Sequence, residues 1–293
     1  MALPRQDQAA GLRRMAQLKP VRALAVTSGK GGVGKSNISV NLAMALCALG
    51  RQTLLFDADM SLANVDVLLG LQPRYNLSHV LSGERTLEEV LVEAPGGLKV
   101  IPASSGIQRM SDLSVTEQGG IIRAFSEFNQ DFDYLIVDTA AGTSNSVVNF
   151  VRACQDIIVV LCDEPTSLTD AYAFIKLLSR DYGIYRFQIV ANMVQNAQQA
   201  QALFDKLCRG ADRYLDVALA FLGFIPYDNC LRRAVQRQSA VLQAFPQSAA
   251  SHAFHQLAQR VDNMPMGMEN GGQLAFFVER LIQSGLGHAN PVL

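Results

Sequence analysis

Residues 28–36 read SGKGGVGKS and have the composition of a loop that binds phosphate. Four of these residues are sufficient to satisfy the phosphate-loop pattern G-x-x-x-x-G-K-[ST]: Gly29, Gly34, Lys35 and Ser36. Glycines let successive backbone N–H groups face a phosphate, and a following helix N-terminus adds partial positive charge. Lys35 is therefore expected to bridge the β- and γ-phosphates of a nucleotide, and the Ser36 hydroxyl to bind Mg²⁺. A second lysine, Lys30, is not required by this pattern.

Acidic residues end two apolar runs that read as strands. YLIVD ends at Asp138 and is followed by TAAG, so Asp138 is expected to hold Mg²⁺ and Gly142 to offer its N–H to a γ-phosphate. FDADMSLANVD places Asp57 and Asp59 at the end of the other run. A pair spaced i, i+2 can direct one carboxylate to a metal and the other to an attacking water. The alternative for any one of these acids is a turn or a helix N-cap.

The elements that must position these residues follow from hydrophobic patterning. Strand-length apolar runs alternate with helical patterns, and runs that are apolar almost throughout belong in a sheet buried on both faces. Strands are predicted at 22–28, 52–57, 98–103, 134–138, 157–162, 186–192 and 220–226, and helices at 35–49, 116–128, 145–153, 167–181, 196–209 and 248–262. This alternation predicts an α/β fold with one doubly wound, mostly parallel sheet flanked by helices, spanning 20–265.

Composition limits the class of protein. The chain has 293 residues and a net charge of −1, so attraction to nucleic acid would have to come from a local patch. The first fifteen residues lack the apolar core of a secretory signal, and no run reaches the length of a membrane span. The five cysteines are scattered without a C-x-x-C pair, which favours neither a zinc site nor a disulfide framework. A reduced, cytoplasmic protein is expected.

KGGVGKS resembles the deviant Walker A motif of the MinD/ParA ATPases, whose signature is the first lysine. The resemblance implies ATP or ADP with Mg²⁺ as cofactors and a homodimer that forms with ATP. Lys30 would then reach across the dimer to the partner's nucleotide, much as an arginine finger does; the alternative is a solvated loop charge. By the same match, Asp59 would orient the hydrolytic water and Asp57 would lie near magnesium.

Further nucleotide contacts are implied by the same resemblance. The remaining members of the phosphate loop and the first helical turn are Gly31, Gly32, Val33 and Asn37. Positions that match adenine contacts in the family are Asn192, at the end of RFQIVAN, and Pro226, Tyr227 and Asp228. These last positions are less specific, because a strand-end Asn and a Pro-Tyr-Asp turn occur widely.

Within that family, DADMSLANVDVLLGL, VDTAAG and DEPTSLTDAYAFIKLL resemble the flagellar-number ATPases of the FlhG (FleN) group. In the 1–19 leader, DQAAGLRRM resembles the element with which that group stimulates FlhF, a GTPase of the signal-recognition type. Its residues at the partner surface would be Asp7, Gln8, Ala9, Leu12 and Arg13. The alternative for this segment is a disordered tail with a helical pattern.

The FlhG resemblance also implies what such a protein does. It describes a slow ATPase that restrains flagellar synthesis by binding the master transcription activator of flagellar genes, and that stimulates FlhF. It suggests flagellar switch components as further partners and reversible, peripheral association with the inner membrane, at the cell pole. Direct binding of nucleic acid is not expected.

The segment 266–293 is predicted to be a linker followed by an amphipathic helix. Within GGQLAFFVERLIQSG, five apolar residues fall on one helical face: Leu274, Phe277, Val278, Leu281 and Ile282. Such a face could lie in a membrane interface, as the C-terminal helices of the MinD group do. The alternative is a terminal helix that docks on its own domain. The two can alternate, with the helix docked in the monomer and released in the ATP-bound dimer.

Rival functions share the phosphate loop. A ParA-type partition ATPase would need a basic face for DNA, for which LRRAVQRQ at 231–238 is the candidate. It would share every nucleotide residue with this chain. A MinD-type division-site ATPase is a further alternative within the same family. An iron–sulfur carrier would need paired cysteines at a dimer face, and the chain has no suitable pair. A small-molecule ligase would show ATP turnover that depends on a metabolite.

Overall fold

The computed structural model describes residues 20–59, 64–102, 120, 122–125, 128, 130–265 and 274–286. The leader and the linker at 266–273 lie outside the described residues, as does most of the predicted helix 116–128, of which residues 120 and 122–125 are helical. The strands are β1 (Arg22–Thr27), β2 (Thr53–Ala58), β3 (Val92–Glu93), β4 (Lys99–Ile101), β5 (Tyr134–Thr139), β6 (Asp156–Cys162), β7 (Arg186–Val194) and β8 (Ala218–Pro226).

The eight strands form one sheet in the order β3-β4-β2-β5-β1-β6-β7-β8. Every pairing is parallel except that of β3 with β4, which closes one edge antiparallel. The predicted parallel sheet is therefore confirmed. The two-residue strand β3 was not predicted, because it is too short to carry an alternating pattern.

Helices cover both faces of the sheet. They are α1 (Lys35–Ala48), α2 (Asn64–Leu69), α3 (Leu77–Leu81), α4 (Leu87–Val90), α5 (Asn145–Ala153), α6 (Pro165–Tyr182), α7 (Ala197–Asp212), α8 (Asn229–Gln236), α9 (Val241–Ala244), α10 (Ala249–Asp262) and α11 (Leu274–Leu286). The long helices lie where the sequence predicts them. The short helices α2, α3, α4, α8 and α9 were not predicted, since four to eight residues give too little periodicity.

Two hydrophobic clusters fill the space between the sheet and its helices. Alternate residues of β1 point to opposite faces, so Ala23 and Ala25 join one cluster whereas Leu24 and Val26 join the other. All six residues of β1 are buried, as expected for a central strand of a doubly wound sheet. The carboxyl ends of the parallel strands consequently meet at one edge, where ligands of such sheets bind.

The C-terminal helix α11 docks on this domain. It packs against α5. Its five apolar residues are all buried in the hydrophobic cluster that contains Ala23 and Ala25: Leu274, Phe277, Val278, Leu281 and Ile282. The Arg152 guanidinium on α5 donates a hydrogen bond to the Ser284 carbonyl at 3.4 Å. In this conformation the apolar stripe is thus part of the core.

Candidate nucleotide site

The phosphate loop connects the end of β1 to the start of α1, as the motif requires. Gly32 and Gly34 have positive φ angles of 80° and 91°, a conformation that favours glycine. Gly34 is the N-cap of α1 and no side chain caps the helix, so its first N–H groups can donate hydrogen bonds to a phosphate. A Cβ atom at Gly29 would collide with the backbone of Asp170 on α6. The loop is therefore wedged between its own helix and α6.

Three ionisable side chains, those of Lys35, Asp57 and Asp138, lie close together next to the phosphate loop. Asp57 on β2 and Asp138 on β5 are register partners on adjacent strands, and both are fully buried. Lys35 is 8% exposed; burial lowers its pKa, against the opposing charges of Asp138 and Asp59. Burial and, to a smaller extent, the neighbouring Asp138 charge together raise the pKa of Asp57 to about 8. Burial also raises the pKa of Asp138, to about 6, against hydrogen bonds from Ser36 and Ser39.

The two oxygens of Asp138 have different surroundings. Oδ1 accepts a hydrogen bond of 2.8 Å from the Ser39 hydroxyl, which lies one turn into α1 and is itself buried. Oδ2 is buried with no hydrogen-bond partner. The Ser36 side chain and Asp57 neighbour the same carboxyl group, and its unpaired Oδ2 fits a site for a hard divalent cation. Ser36, Asp57 and Asp138 are thus the residues that would hold Mg²⁺, which supplies charge neutralisation at the phosphates when bound.

The Asp59 side chain is anchored from the helix that follows it. The Asn64 amide donates a hydrogen bond to Asp59 Oδ2 at 3.3 Å. The Asp59 backbone N–H donates to Asp57 Oδ1 at 3.1 Å, and the Val65 N–H donates to Asp57 Oδ2 at 3.2 Å. The buried Asp57 side chain therefore holds the backbone at residues 59 and 65 in place, and with it the segment that carries Asp59. The predicted roles, with Asp57 near magnesium and Asp59 orienting the hydrolytic water, stay predictions.

Lys30 lies outside the phosphate cradle and pairs with α6. Its Nζ contacts Glu164 Oε2 at 2.5 Å and the Thr166 hydroxyl at 2.8 Å. The hydrogen bond to Glu164 raises the pKa of Lys30, so the side chain is cationic. Both partners of the ion pair are substantially exposed, at 35% and 57%. An exposed pair of this kind is weak and exchanges readily for another anion.

The switch loop after β5 closes onto the phosphate loop. The N–H of Gly142, predicted to contact a γ-phosphate, donates to the Ser28 carbonyl at 3.0 Å. Gly142 has a positive φ of 92°, which an L side chain rarely adopts. A phosphate at this position would take over a hydrogen bond that the backbone now makes. The Gly142 N–H is thus oriented toward the phosphate loop, and its contact with a γ-phosphate stays a prediction.

The residues predicted to contact the base lie at and just after the ends of β7 and β8. Asn192 is buried; its amide donates to the Val33 carbonyl at 2.7 Å, and its Oδ1 has no partner. Tyr227 is 59% exposed. Asp228 has a different role: Oδ1 accepts from the Cys230 N–H at 2.7 Å and Oδ2 from the Ala250 N–H at 3.0 Å. The Asp228 carboxylate therefore caps α8 and tethers α10 instead of facing a base.

The structure brings together the predicted phosphate and metal residues, with Val33 buried and Asn37 half-buried at the start of α1.

The partner-binding positions Asp7, Gln8, Ala9, Leu12 and Arg13 lie outside the described residues. Among the helices that the structure describes, none is long and apolar enough to span a bilayer.

Three residues that contact predicted site residues were not themselves predicted from the sequence: Ser39, Glu164 and Thr166. Ser39 lies four residues after Lys35, so the helical period alone places it on the same face. Glu164 and Thr166 follow the end of β6, and the rule that ligands bind at strand ends could have identified them. The pairing of Glu164 with Lys30 depends on α6 packing against the loop, which the sequence does not reveal.

A comparison with protein families agrees with this geometry. Residues 20–262 match a ParA family model described as an iron-transfer P-loop NTPase of the NUBPL type. The chain belongs to this ParA/MinD family of P-loop NTPases, whose members are ATPases that use ATP or ADP with Mg²⁺. All five cysteines are free thiols without a C-x-x-C pair, so the iron-transfer part of that description finds no matching cysteine motif.

Two related sequences and one solved structure show which proteins of this family the chain resembles. The chain is 54% identical over 272 residues to the antiactivator FleN of Pseudomonas aeruginosa, covering 93% of this chain and 97% of that one. It is 35% identical to the flagellum site-determining protein YlxH of Helicobacter pylori, over 80% of each. The cell division ATPase MinD of Pyrococcus furiosus superposes with a TM-score of 0.66 at 23% identity, over 83% of this chain and 99% of that one. This last likeness shows the shared fold alone.

Proposed function

We propose that the chain is an ATP-dependent, dimerising ATPase switch that regulates flagellar number and placement. The observation that carries the proposal is the 54% identity to an antiactivator over almost the full length of both chains. The similarity to a flagellum site-determining protein supports the same process. By this proposal the chain restrains the master transcription activator of flagellar genes and stimulates the FlhF GTPase, with flagellar switch components as further partners.

The position of Lys30 supports the dimerising part of the proposal. Lys35 serves the phosphate cradle from within, whereas the Lys30 ammonium lies outside it on Glu164 and Thr166. A weak, exposed ion pair leaves Lys30 available to a second anion brought by a partner copy. In the dimer, Lys30 would stabilise the phosphates of the facing site, and Asp59 would orient the attacking water. Hydrolysis would then require both copies.

Size-exclusion chromatography with ATP and with ADP tests this part. Lys30→Ala is expected to bind nucleotide yet remain monomeric with ATP, because its own cradle keeps Lys35. Asp59→Ala is expected to form a persistent dimer with greatly reduced phosphate release, since the lost carboxylate acts on the transition state. Lys35→Ala is the control that loses nucleotide. Loss of nucleotide by Lys30→Ala as complete as that of the control would contradict the proposal.

Partner capture tests the flagellar part. A pull-down with the wild-type chain, with ATP and with ADP, should retain the flagellar transcription activator. Deleting residues 1–19, or changing Gln8→Ala, should spare ATP hydrolysis by this chain and abolish stimulation of FlhF. A folded deletion variant that still stimulates FlhF fully would remove the role of the leader. Recovery of division-site or partition proteins instead would favour the MinD-type or ParA-type alternative.

Reversible membrane association is also part of the proposal, with α11 as the anchor. The helix would stay docked on α5 in the monomer and be released in the ATP-bound dimer. Two weak anchors in one dimer bind a surface where a single anchor does not. The resulting location would be cytoplasmic, with peripheral attachment to the inner membrane at the cell pole.

A further inference from the structure

Met193 is an extra residue at the end of β7. The pairing with β8 shifts at this point, since Asn192 faces Ile225 and Val194 faces Pro226 with Met193 left between them. Such a β-bulge re-aims one side chain out of the regular alternation. Met193 also has a φ of +57°, in the left-handed region that residues other than glycine seldom adopt. The backbone here is strained, and strain of this kind clusters at ligand sites.

The bulge directs the Met193 side chain toward the phosphate loop. Its neighbours Asn192 and Val194 are buried, whereas Met193 is 43% exposed. The Met193 methyl group lies 3.5 Å from the point that a Cβ atom on Gly34 would occupy. Gly34 is the N-cap of α1, so an exposed thioether lies directly beside the loop that binds phosphate.

The groups around Met193 resemble one wall of a site for a flat ring. On one side, Asn192 donates to the Val33 carbonyl and keeps Oδ1 buried without a partner. On the other, the Tyr227 N–H donates to the Val194 carbonyl at 2.8 Å, which brings a second exposed apolar residue to the same strand end. Thioethers are polarisable and adapt to aromatic faces. The bulge therefore presents an apolar surface next to an unused acceptor.

We propose that Met193 is the apolar wall on which the base of the bound nucleotide rests, and that the strained bulge holds its thioether in place. In a regular strand, residue 193 would point to the face of the sheet opposite to Asn192 and leave the base against water. The inference rests on ATP as the cofactor and adds a base-contacting residue to that assignment. Met193 then contributes to affinity for the base and not to affinity for the phosphates.

Isothermal titration with AMP-PNP and with inorganic tripolyphosphate, both with Mg²⁺, separates these two contributions. Met193→Gly accepts the left-handed backbone and removes the side chain, so its Kd for AMP-PNP should rise about tenfold. Its Kd for tripolyphosphate, which has no base, should not change. Met193→Leu keeps apolar area and should retain most of the affinity for AMP-PNP.

Gln238→Gly is the matched control, because Gln238 is the other described residue, besides glycines, with a positive φ, at 50°. It undergoes the same backbone change and should bind AMP-PNP like the wild type. Unchanged AMP-PNP affinity in Met193→Gly would overturn the inference, as would an equal loss for tripolyphosphate. A wild-type chain that binds neither probe would instead refute the nucleotide assignment itself.

Discussion

Ser39 holds one oxygen of Asp138 and leaves the other for a metal. The Ser39 hydroxyl also lies 3.1 Å from the Lys35 carbonyl, but the carboxylate at 2.8 Å is the shorter and stronger acceptor. Ser39 therefore acts as a positioning residue, and it does so from within the buried core.

Replacing Ser39→Ala should raise the Mg²⁺ concentration needed for half-maximal ATP binding about tenfold, because Asp138 loses the bond that orients it. Titrating Mg²⁺ at fixed ATP measures the effect. Ser251→Ala, which deletes an equally buried hydroxyl on α10 away from the site, is the control. An identical Mg²⁺ requirement in both variants would show that Ser39 is structural only.

The raised pKa values of Asp57 and Asp138 predict a pH dependence of stability. Each folded-state value, about 8 and about 6, lies above the ordinary value of 3.8, so the native state retains protons that the unfolded chain releases. Stability without Mg²⁺ should therefore fall as the pH rises from about 4 to about 8.

Chemical denaturation across this pH range tests the expectation. Asp57→Asn, which cannot ionise, should flatten the dependence, and Mg²⁺ with nucleotide should reduce it in the wild type. A wild-type profile that rises between pH 5 and pH 8 would contradict the raised pKa values of these two buried carboxyl groups.

At the scale of elements, α6 and the phosphate loop are in backbone contact. Gly29→Ala should push α6 away and lower the free energy of unfolding by at least about 2 kcal/mol, because the added methyl collides with backbone atoms that cannot rotate away. Gly31→Ala, in the same loop, meets nothing within 4 Å and should leave stability nearly unchanged. Thermal unfolding without nucleotide compares the two, and equal stability would contradict the contact.

The docked helix α11 makes a second prediction at this scale. Phe277 is 3% exposed, so Phe277→Ala should cost about 3 kcal/mol of stability without nucleotide. Gln283→Ala, on the exposed face, should stay within about 0.5 kcal/mol. Denaturant unfolding measures both. If the two variants were equally stable, the helix would not be docked in solution.

The apolar face of α11 also leads to a prediction about membrane binding, which co-sedimentation with lipid vesicles tests. Wild type should co-sediment with anionic liposomes in ATP and not in ADP, Asp59→Ala should bind most persistently, and Phe277→Glu should not bind. Equal binding in both nucleotides would refute the switch. Arg280 is the only strong base on the helix, so the salt dependence should be weak.

At the scale of the whole molecule, we predict that the chain binds plain DNA only weakly. The candidate basic helix α8 and the residue after it carry Arg232, Arg233 and Arg237, and two of these guanidinium groups stack on the Phe245 ring. Three phosphate contacts give a log–log salt slope of only about −3. The chain should therefore elute from non-specific DNA near 0.15 M salt in either nucleotide, and tight retention with a steep slope would favour the ParA-type alternative.

The sequence alone determined the parts of this protein that depend on local pattern. The phosphate loop, the strand-end acids Asp57 and Asp138 and the long elements of the sheet follow from motif spacing and hydrophobic period, which are properties of consecutive residues. The tertiary structure decided which distant groups meet. It paired Lys30 with Glu164, gave Asp228 two capping bonds, and buried the stripe of α11 on α5. These outcomes depend on how α6, α10 and α5 pack, and packing joins residues that no local pattern relates.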